Sequence, residues 1–212
     1  MERVVLNQDT YYGALAQAEQ VLFAGGIAAS PTDTVYGILC QADRADAIER
    51  MFSMKRRAPE KAFPIFVKDI SIARRYAYIS DAKVKFLEKV WPGPVTVVLH
   101  HKDKLPPLLT GGKDTIGMRI PDHRFMLDLL GRFEIPIAQT SANLAGQPPA
   151  RDANEISNYF KDEAFEPDLL IDGGVVSGQP STVFDFTGAK PLVLRSGLLS
   201  KSELEELMKF VI

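Results

Sequence analysis

Residues 27–37 read IAASPTDTVYG and pass from a short apolar run into a cluster of polar side chains. The apolar run at residues 27–29 is typical of a buried strand. The hydroxyl groups and the carboxylate that follow are costly to bury unless each is hydrogen-bonded. Two interpretations stay open. The segment is either a hydroxyl-lined pocket wall at a strand end, where α/β folds usually bind ligands, or a turn in which Asp33 and the threonines satisfy local backbone groups.

Helical and extended patterns alternate along the rest of the chain. Apolar spacings of three and four predict helices capped by Asp9, Asp43 and Asp122 and a further helix over residues 80–91. Ser200 with Glu203 forms a capping-box pattern for a last helix over residues 200–212. Apolar and β-branched runs predict strands at residues 27–29, 63–67, 95–101, 115–120, 135–139, 169–172, 181–186 and 192–195. This alternation favours a single α/β domain over residues 1–212, with a core over about residues 7–199 and a twisted mixed sheet flanked by helices.

The composition limits the classes of function. The 212 residues are 46% hydrophobic and carry a formal charge of −2, which argues against binding nucleic acid through a broad basic surface. Any anion site must therefore be local. A single cysteine, Cys40, and three histidines leave no disulfide framework and little material for a zinc cluster. Neither a signal peptide nor a membrane span of about 18 apolar residues is visible, so we expect a soluble cytoplasmic protein.

A cationic cluster follows the second predicted helix. It contains Lys55, Arg56, Arg57 and Lys61 within seven residues. Arginine offers a planar fork of donors for phosphate oxygens, and lysine offers a mobile point charge. The cluster beside a polar turn is therefore interpreted as a local phosphate site. The alternative is a solvated run of cations at a helix C-terminus, which accounts for Lys55 better than for Lys61.

Other polar segments also border predicted strands. Residues 140–146 read TSANLAG, in which small residues allow close approach of a ligand while Ser141 and Asn143 supply neutral donors and acceptors. The alternative for this segment is a helix cap plus a turn. Residues 195–197 read RSG, and Arg195 is a weaker candidate for an anion contact. No phosphate-binding P-loop, dinucleotide fingerprint, HExxH zinc motif or GxSxG elbow accompanies these segments.

Taken in order, these segments resemble the YrdC/Sua5 family, the threonylcarbamoyl-adenylate synthases of tRNA modification. The resemblance covers nearly the whole chain. It rests on residues 31–37 (PTDTVYG), Lys55 with Arg57 and Lys61, residues 92–96 (PGPVT), 117–121 (GMRIP), 141–143 (SAN), 181–183 (STV) and 195–197 (RSG).

The resemblance implies a deep positively charged groove and the conversion of L-threonine, bicarbonate and ATP into threonylcarbamoyl-AMP and pyrophosphate. It assigns catalytic roles to Lys55 and Arg57. The implied ATP contacts are Lys55, Arg57, Lys61, Thr115, Ser141, Asn143 and Arg195. The implied contacts to threonine or a nearby phosphate are Thr32, Thr34, Arg119 and Ser181. Mg²⁺ is expected on the ATP phosphates, with no metal ligand from the protein.

One departure from the family pattern is Ala62, at a position that is often Pro or Gly in the family. The chain resembles the short form of the family, whose product passes to separate threonylcarbamoyl-transfer proteins. The alternative function is a non-catalytic protein of the same fold that binds double-stranded RNA or tRNA in its groove. The formal charge of −2 counts against it. A further alternative, carbamoyl transfer as in hydrogenase maturation, comes with additional regions for which this chain has no room.

Overall fold

The computed structural model of the chain describes residues 1–209. In this part of the chain, the strands are β1 (Glu2–Val5), β2 (Ala28–Ser30), β3 (Gly37–Gln41), β4 (Ile65–Phe66), β5 (Val95–His100), β6 (Thr115–Arg119), β7 (Ile137–Ser141), β8 (Leu169–Asp172), β9 (Thr182–Asp185) and β10 (Leu192–Arg195). The helices are α1 (Tyr11–Phe23), α2 (Ala45–Lys55), α3 (Ile70–Tyr76), α4 (Asp81–Val90), α5 (Pro107–Thr110), α6 (Arg124–Leu130), α7 (Ala153–Phe160) and α8 (Lys201–Lys209).

All of these strands form one sheet in the order β1-β8-β2-β3-β7-β4-β6-β5-β9-β10. Parallel pairs such as β4 with β6 and β5 with β9 stand beside antiparallel pairs such as β3 with β7 and β5 with β6. The predicted mixed α/β fold is therefore confirmed. None of the described helices is long and apolar enough to cross a lipid bilayer.

Every predicted strand is found with both of its ends within two residues of the prediction. The largest shifts are in β7, which was expected at residues 135–139 and ends at Ser141, and in β4, which keeps only two of the residues expected at 63–67. Strand β3 has no predicted counterpart. All five of its residues are buried, so it lacks the alternation of polar and apolar residues that identifies a half-exposed strand. Strand β1 and the short helices α3, α5 and α7 were likewise not predicted.

The predicted capping box of the last helix is confirmed, since Ser200 and Glu203 each accept the backbone N–H of the other. The helix predicted over residues 80–91 is α4, and Ser80 caps it by accepting the N–H of Lys83. The aspartate caps are wrong, since Thr10, Arg44 and His123 occupy those positions and none makes a side-chain cap hydrogen bond. Before α1, the side chain of Asn7 already accepts the backbone N–H groups of Asp9 and Thr10. The predicted last helix extends to residue 212, and residues 210–212 lie outside the described part.

The two faces of the sheet are covered unequally, and this decides where a ligand can bind. One face packs along its length against α2, α4 and α7, through residues such as Ile38, Met51 and Phe184. On the other face, α1 and α6 cover the part near β2, β3 and β8 and reach Phe66 of β4 and Ile137 of β7. Because side chains alternate between faces, the outward residues of β5, β6 and β9 on that second face are left open. A groove forms there.

Candidate functional site: a cationic groove on the open face of the sheet

The groove has a volume of about 580 Å³ and is lined by residues of seven strands, β3 to β7, β9 and β10. Its floor is the uncovered part of the second sheet face, and its walls are the 31–36 turn, the loop after α2 and strand β10. The lining residues are Thr32, Thr34, Val35, Gly37, Arg57, Ala62, Pro64, Phe66, Thr96, Val98, Lys113, Thr115, Gly117, Arg119, Gln139, Thr140, Ser141, Pro149, Pro180, Ser181, Val183, Asp185, Leu194 and Arg195.

The segment at residues 31–36 is both a turn with satisfied backbone groups and a wall of the groove, so both interpretations of the sequence apply. Thr32 Oγ1 accepts the N–H of Thr34 at 3.1 Å and donates to the carbonyl of Val35 at 2.7 Å. Local backbone groups are thus satisfied by a threonine, as expected for a turn. Thr32 and Thr34 also line the groove. The turn is therefore a self-supporting pocket wall, with hydroxyl groups held in place before any ligand binds.

Arg119, on β6, ties this turn to the sheet. Its side chain is 3% exposed and makes three contacts, with the carbonyl of Gly93 at 2.8 Å, Thr34 Oγ1 at 3.0 Å and Asp33 Oδ1 at 2.5 Å. Burial lowers the pKa of Arg119, and the Asp33 carboxylate acts in the opposite direction. A guanidinium group has five N–H donors, so two remain for a ligand in the groove.

Lys55 is buried immediately behind the groove wall. It ends α2 and is 2% exposed. Its ammonium group donates to the carbonyl of Ser141 at 2.6 Å and to Asn143 Oδ1 at 2.7 Å, and Ser141 Oγ donates to the same amide oxygen at 2.6 Å. Burial, and to a lesser extent the charge of Arg57, lowers the pKa of Lys55 to about 7. The cation thus fixes the position of the 141–143 segment.

Arg57 reaches the groove from the loop that follows α2. Its guanidinium group donates to the carbonyls of Lys61 and Ala62 at 3.0 and 2.9 Å, and it lies 5.0 Å from the centre of the Phe63 ring. These contacts hold the loop against β4. Burial lowers the pKa of Arg57. Lys61 contributes its backbone to this arrangement, while its side chain is exposed.

Arg195 and Ser181 form another wall of the groove. Arg195 donates to the carbonyl of Ser181 at 2.9 Å, and Ser181 Oγ shares a hydrogen bond of 2.9 Å with Thr96 Oγ1. Burial lowers the pKa of Arg195. The contact places a guanidinium group beside two hydroxyl groups. Arg119 and Arg195 also interact electrostatically, since the charge of Arg195 lowers the pKa of Arg119.

The structure brings most of the predicted site residues together. Those that line the groove are Thr32, Thr34, Arg57, Thr115, Arg119, Ser141, Ser181 and Arg195. Lys55 and Asn143 support its wall from behind, and the side chain of Lys61 lies outside. The groove is also lined by Lys113, Thr96, Gln139 and Asp185, for which the sequence predicted no role in the site. Lys113 follows two glycines of positive φ that turn the chain, a signal that was available at residues 111–112.

Gly197 allows the wall made by Arg195 and Ser181 to close. A Cβ at this position would lie 2.3 Å from the carbonyl oxygen of Pro180 and 2.5 Å from that of Ser181. We expect Gly197→Ala to lower the free energy of unfolding by about 1–3 kcal/mol, as overpacking does in a tight site. Chemical denaturation measures this. Gly188→Ala is the control, because a Cβ there meets no atom within 4 Å. Equal stability of both variants would contradict the assignment.

The fold and the groove define a class: an α/β protein with one mixed sheet and, on its half-open face, a groove whose described lining includes four cationic side chains. The sequence matches the family Sua5_yciO_yrdC, described as "Telomere recombination", over residues 20–197. The chain therefore belongs to the Sua5/YciO/YrdC family.

Related proteins carry consistent names. A Pyrococcus abyssi protein called threonylcarbamoyl-AMP synthase is 34% identical over 186 residues, which are 87% of this chain and 54% of that protein. A Methanocaldococcus jannaschii protein called putative threonylcarbamoyl-AMP synthase is 31% identical over 200 residues, or 94% of this chain and 93% of that one. The chain spans 54%, 55% and 58% of the length of the relatives from Pyrococcus abyssi, Bacillus subtilis and Mus musculus.

Solved structures agree with this membership. The structure of Pyrococcus abyssi Sua5 complexed with L-threonine superposes with a TM-score of 0.87 at 32% identity, covering 98% of this chain and 60% of that chain. Escherichia coli YciO superposes with a TM-score of 0.83 at 26% identity, covering 94% of this chain and 96% of that chain.

Proposed function

We propose that this protein is an L-threonylcarbamoyladenylate synthase, which forms threonylcarbamoyl-AMP and pyrophosphate from L-threonine, bicarbonate and MgATP. The observation that carries the proposal is the groove itself, which combines four cations with a set of hydroxyl groups on the open face of the sheet. The names of the relatives and the L-threonine in the Pyrococcus abyssi complex support the same function.

The four cations suit the triphosphate of ATP. Arg57, Lys113, Arg119 and Arg195 line the groove of a chain whose formal charge is −2. Asp33 neutralises Arg119 in part, and Asp185 is the one acid in the described lining, so an excess of positive charge remains that favours an anionic ligand. Magnesium enters as part of the nucleotide, because Mg²⁺ in such sites is bound chiefly through phosphates and water. Among residues 1–209, no cluster of three or more His, Cys, Asp or Glu side chains could hold a metal ion.

The hydroxyl-lined end of the groove suits threonine. The two unused N–H donors of Arg119 can pair with the amino-acid carboxylate. Thr32, Thr34 and Ser181 can hydrogen-bond the carboxylate and the side-chain hydroxyl of the substrate. Because these hydroxyls are already fixed by Val35, Arg119 and Thr96, little ordering is needed on binding.

The chemistry asks the protein for position and charge rather than for a covalent nucleophile. The free amine of threonine attacks bicarbonate, and a carbamate and water result. A carbamate oxygen then attacks the α-phosphorus of ATP, the bond to the β-phosphate oxygen breaks, and pyrophosphate leaves. Arg57 and Arg195 would neutralise the charge that develops on pyrophosphate. Lys55 would act indirectly, by holding Ser141 and Asn143 in the wall.

The proposed function is tested by the release of pyrophosphate. Release from MgATP should require L-threonine and bicarbonate together, since the attacking carbamate contains both. The control reactions omit one or the other. Equal release when either is omitted would refute the proposal. Tight, steeply salt-dependent binding of tRNA without turnover of ATP would instead support an RNA-binding protein.

The chemistry of the proposed product indicates the process in which the protein would act. Threonylcarbamoyl-AMP is a mixed anhydride, which a threonylcarbamoyl-transfer protein would consume in the t⁶A modification of tRNA. We place this reaction in the cytoplasm. The single cysteine of the sequence, Cys40, is buried and free, which fits a reducing compartment.

The titration of Lys55 predicts a pH dependence of nucleotide binding. Its pKa of about 7 leaves it mostly neutral at pH 8. A bound triphosphate favours the charged form and raises this pKa, so binding at pH 8 should take up a proton. At pH 6 the group is already charged, and the uptake should be small. Calorimetry in buffers of different ionisation enthalpy measures the number of protons. Lys55→Arg should abolish the uptake, and an unchanged value would contradict the prediction.

A further inference from the structure

One carboxylate lies in the groove among the cations. Asp185 is the last residue of β9, and it is the single acidic side chain among the described residues that line the groove. Among residues 1–209 it has no ion-pair partner within 4.0 Å, although its charge acts on Lys83 of α4, whose pKa burial lowers and Asp185 raises. Neither the phosphate contacts nor the threonine contacts proposed above need an acid, so Asp185 has no assigned role.

The two oxygens of Asp185 differ in their partners. Oδ1 accepts the backbone N–H of Thr187 at 2.9 Å and its hydroxyl at 2.7 Å, which orients the carboxylate. Oδ2 accepts no hydrogen bond in the described part of the chain. This oxygen is also not buried, since the buried unpartnered atoms belong to other residues. The local turn at residues 185–187 uses only Oδ1. Oδ2 is therefore accessible and positioned to accept a hydrogen bond from a ligand.

The floor residues directly beside Asp185 are small or apolar. The strand register places Gly117, Val98 and Asp185 side by side on β6, β5 and β9. A Cβ on Gly117 would lie 3.1 Å from Pro64 and 3.2 Å from Thr96, so glycine keeps the floor low. Val183 continues the floor, and Leu194 lines the groove from β10. A planar ring fits against such a surface, whereas a phosphate would be repelled by the carboxylate.

We propose that Asp185 Oδ2 accepts a hydrogen bond from the exocyclic amine of adenine, with the purine lying over Gly117, Val98 and Val183. Asp185 is then the residue that selects ATP over GTP. Adenine presents a donor at C6, whereas guanine presents a carbonyl oxygen there. In the orientation that brings C6 to Asp185, guanine would place an acceptor against an acceptor, so this position disfavours guanine as well as accepting adenine. This inference rests on the proposed function, because it assumes that the groove holds a nucleotide.

The test compares ATP with purine riboside triphosphate, which lacks only the exocyclic amine. Equilibrium binding is measured by calorimetry with MgCl₂ and without threonine. The wild-type protein should bind ATP about tenfold or more tightly than the analogue, the size expected for a hydrogen bond to a charged group. Asp185→Ala should bind both equally. Asp185→Asn should bind GTP more tightly than the wild type does, because its amide can donate to the guanine carbonyl.

Thr187→Val is the matched control. It removes one hydrogen bond to Oδ1 but leaves Oδ2 in place, so it should keep the preference for ATP over the analogue. If Asp185→Ala weakens ATP and the analogue equally, the carboxylate acts on the ribose, on magnesium or on the fold, and the inference is wrong. If the wild type binds both ligands equally well, the inference fails while the proposed function stands. If neither binds, both fail.

Discussion

Arg119→Met is expected to lower the free energy of unfolding by about 3–5 kcal/mol and to abolish pyrophosphate release. The side chain of Arg119 is 3% exposed, and that of its partner Asp33 is 12% exposed. Removing one member of a buried ion pair leaves an uncompensated charge, which costs about that much. We expect the loss of stability to lie near the upper end of this range, because Asp33 Oδ2 is already buried without a partner in the described residues. Denaturant unfolding and a pyrophosphate assay measure the two effects.

A second variant separates stability from chemistry. In Arg119→Met combined with Asp33→Asn, the buried charge is gone from both positions, so stability should recover in part. Activity should not recover, because the guanidinium group that contacts Thr34 and lines the groove is still missing. Recovery of both would show that Arg119 has only a structural role. No loss of stability in the single variant would contradict the buried pair.

Arg57→Ala is expected to reduce pyrophosphate release by about two orders of magnitude. A charge-assisted contact to the leaving phosphates strengthens as charge develops, and removing one donor of this kind costs about 10²–10³ in turnover. The rate is measured at saturating substrates, with thermal unfolding as a check that the protein is folded.

Arg56→Ala is a matched control for this substitution. Arg56 precedes Arg57 directly, but its side chain is 68% exposed and pairs with Glu163 on the surface. Surface pairs contribute about 0–1 kcal/mol, so we expect turnover within about twofold of the wild type. Lys55→Met should lower activity as Arg57→Ala does, because Ser141 and Asn143 lose their common anchor. Wild-type turnover in both Arg57→Ala and Lys55→Met would refute the phosphate site.

The parts of the site that the sequence predicted are those whose chemistry is local. The polar turn around Thr32 and Thr34 and the cations at Lys55 and Arg57 stand out because such groups are costly without partners. Asp185 gave no such signal. An aspartate at a strand end is ordinary in a turn, and only the strand register shows that it faces the same groove as Arg57.

The fold was predictable to the level of its class. Strands with β-branched runs, such as β5, carry their own signal, whereas β3 does not, since burial on both faces removes its alternation. The order of the strands in the sheet could not be read from the chain at all. That order places β4 between β6 and β7, and it leaves part of one face uncovered by α1 and α6.

The uncovered face has a consequence for errors in folding. On β9, groove residues Val183 and Asp185 alternate with the core residue Phe184. A slip of one residue would turn Asp185 into the interior and expose the phenylalanine. A misaligned strand would therefore lose binding and core packing in the same step. Copies of this protein that have folded with their sheet in register also have their ligand-binding residues in place, so no separate event is needed to assemble the site.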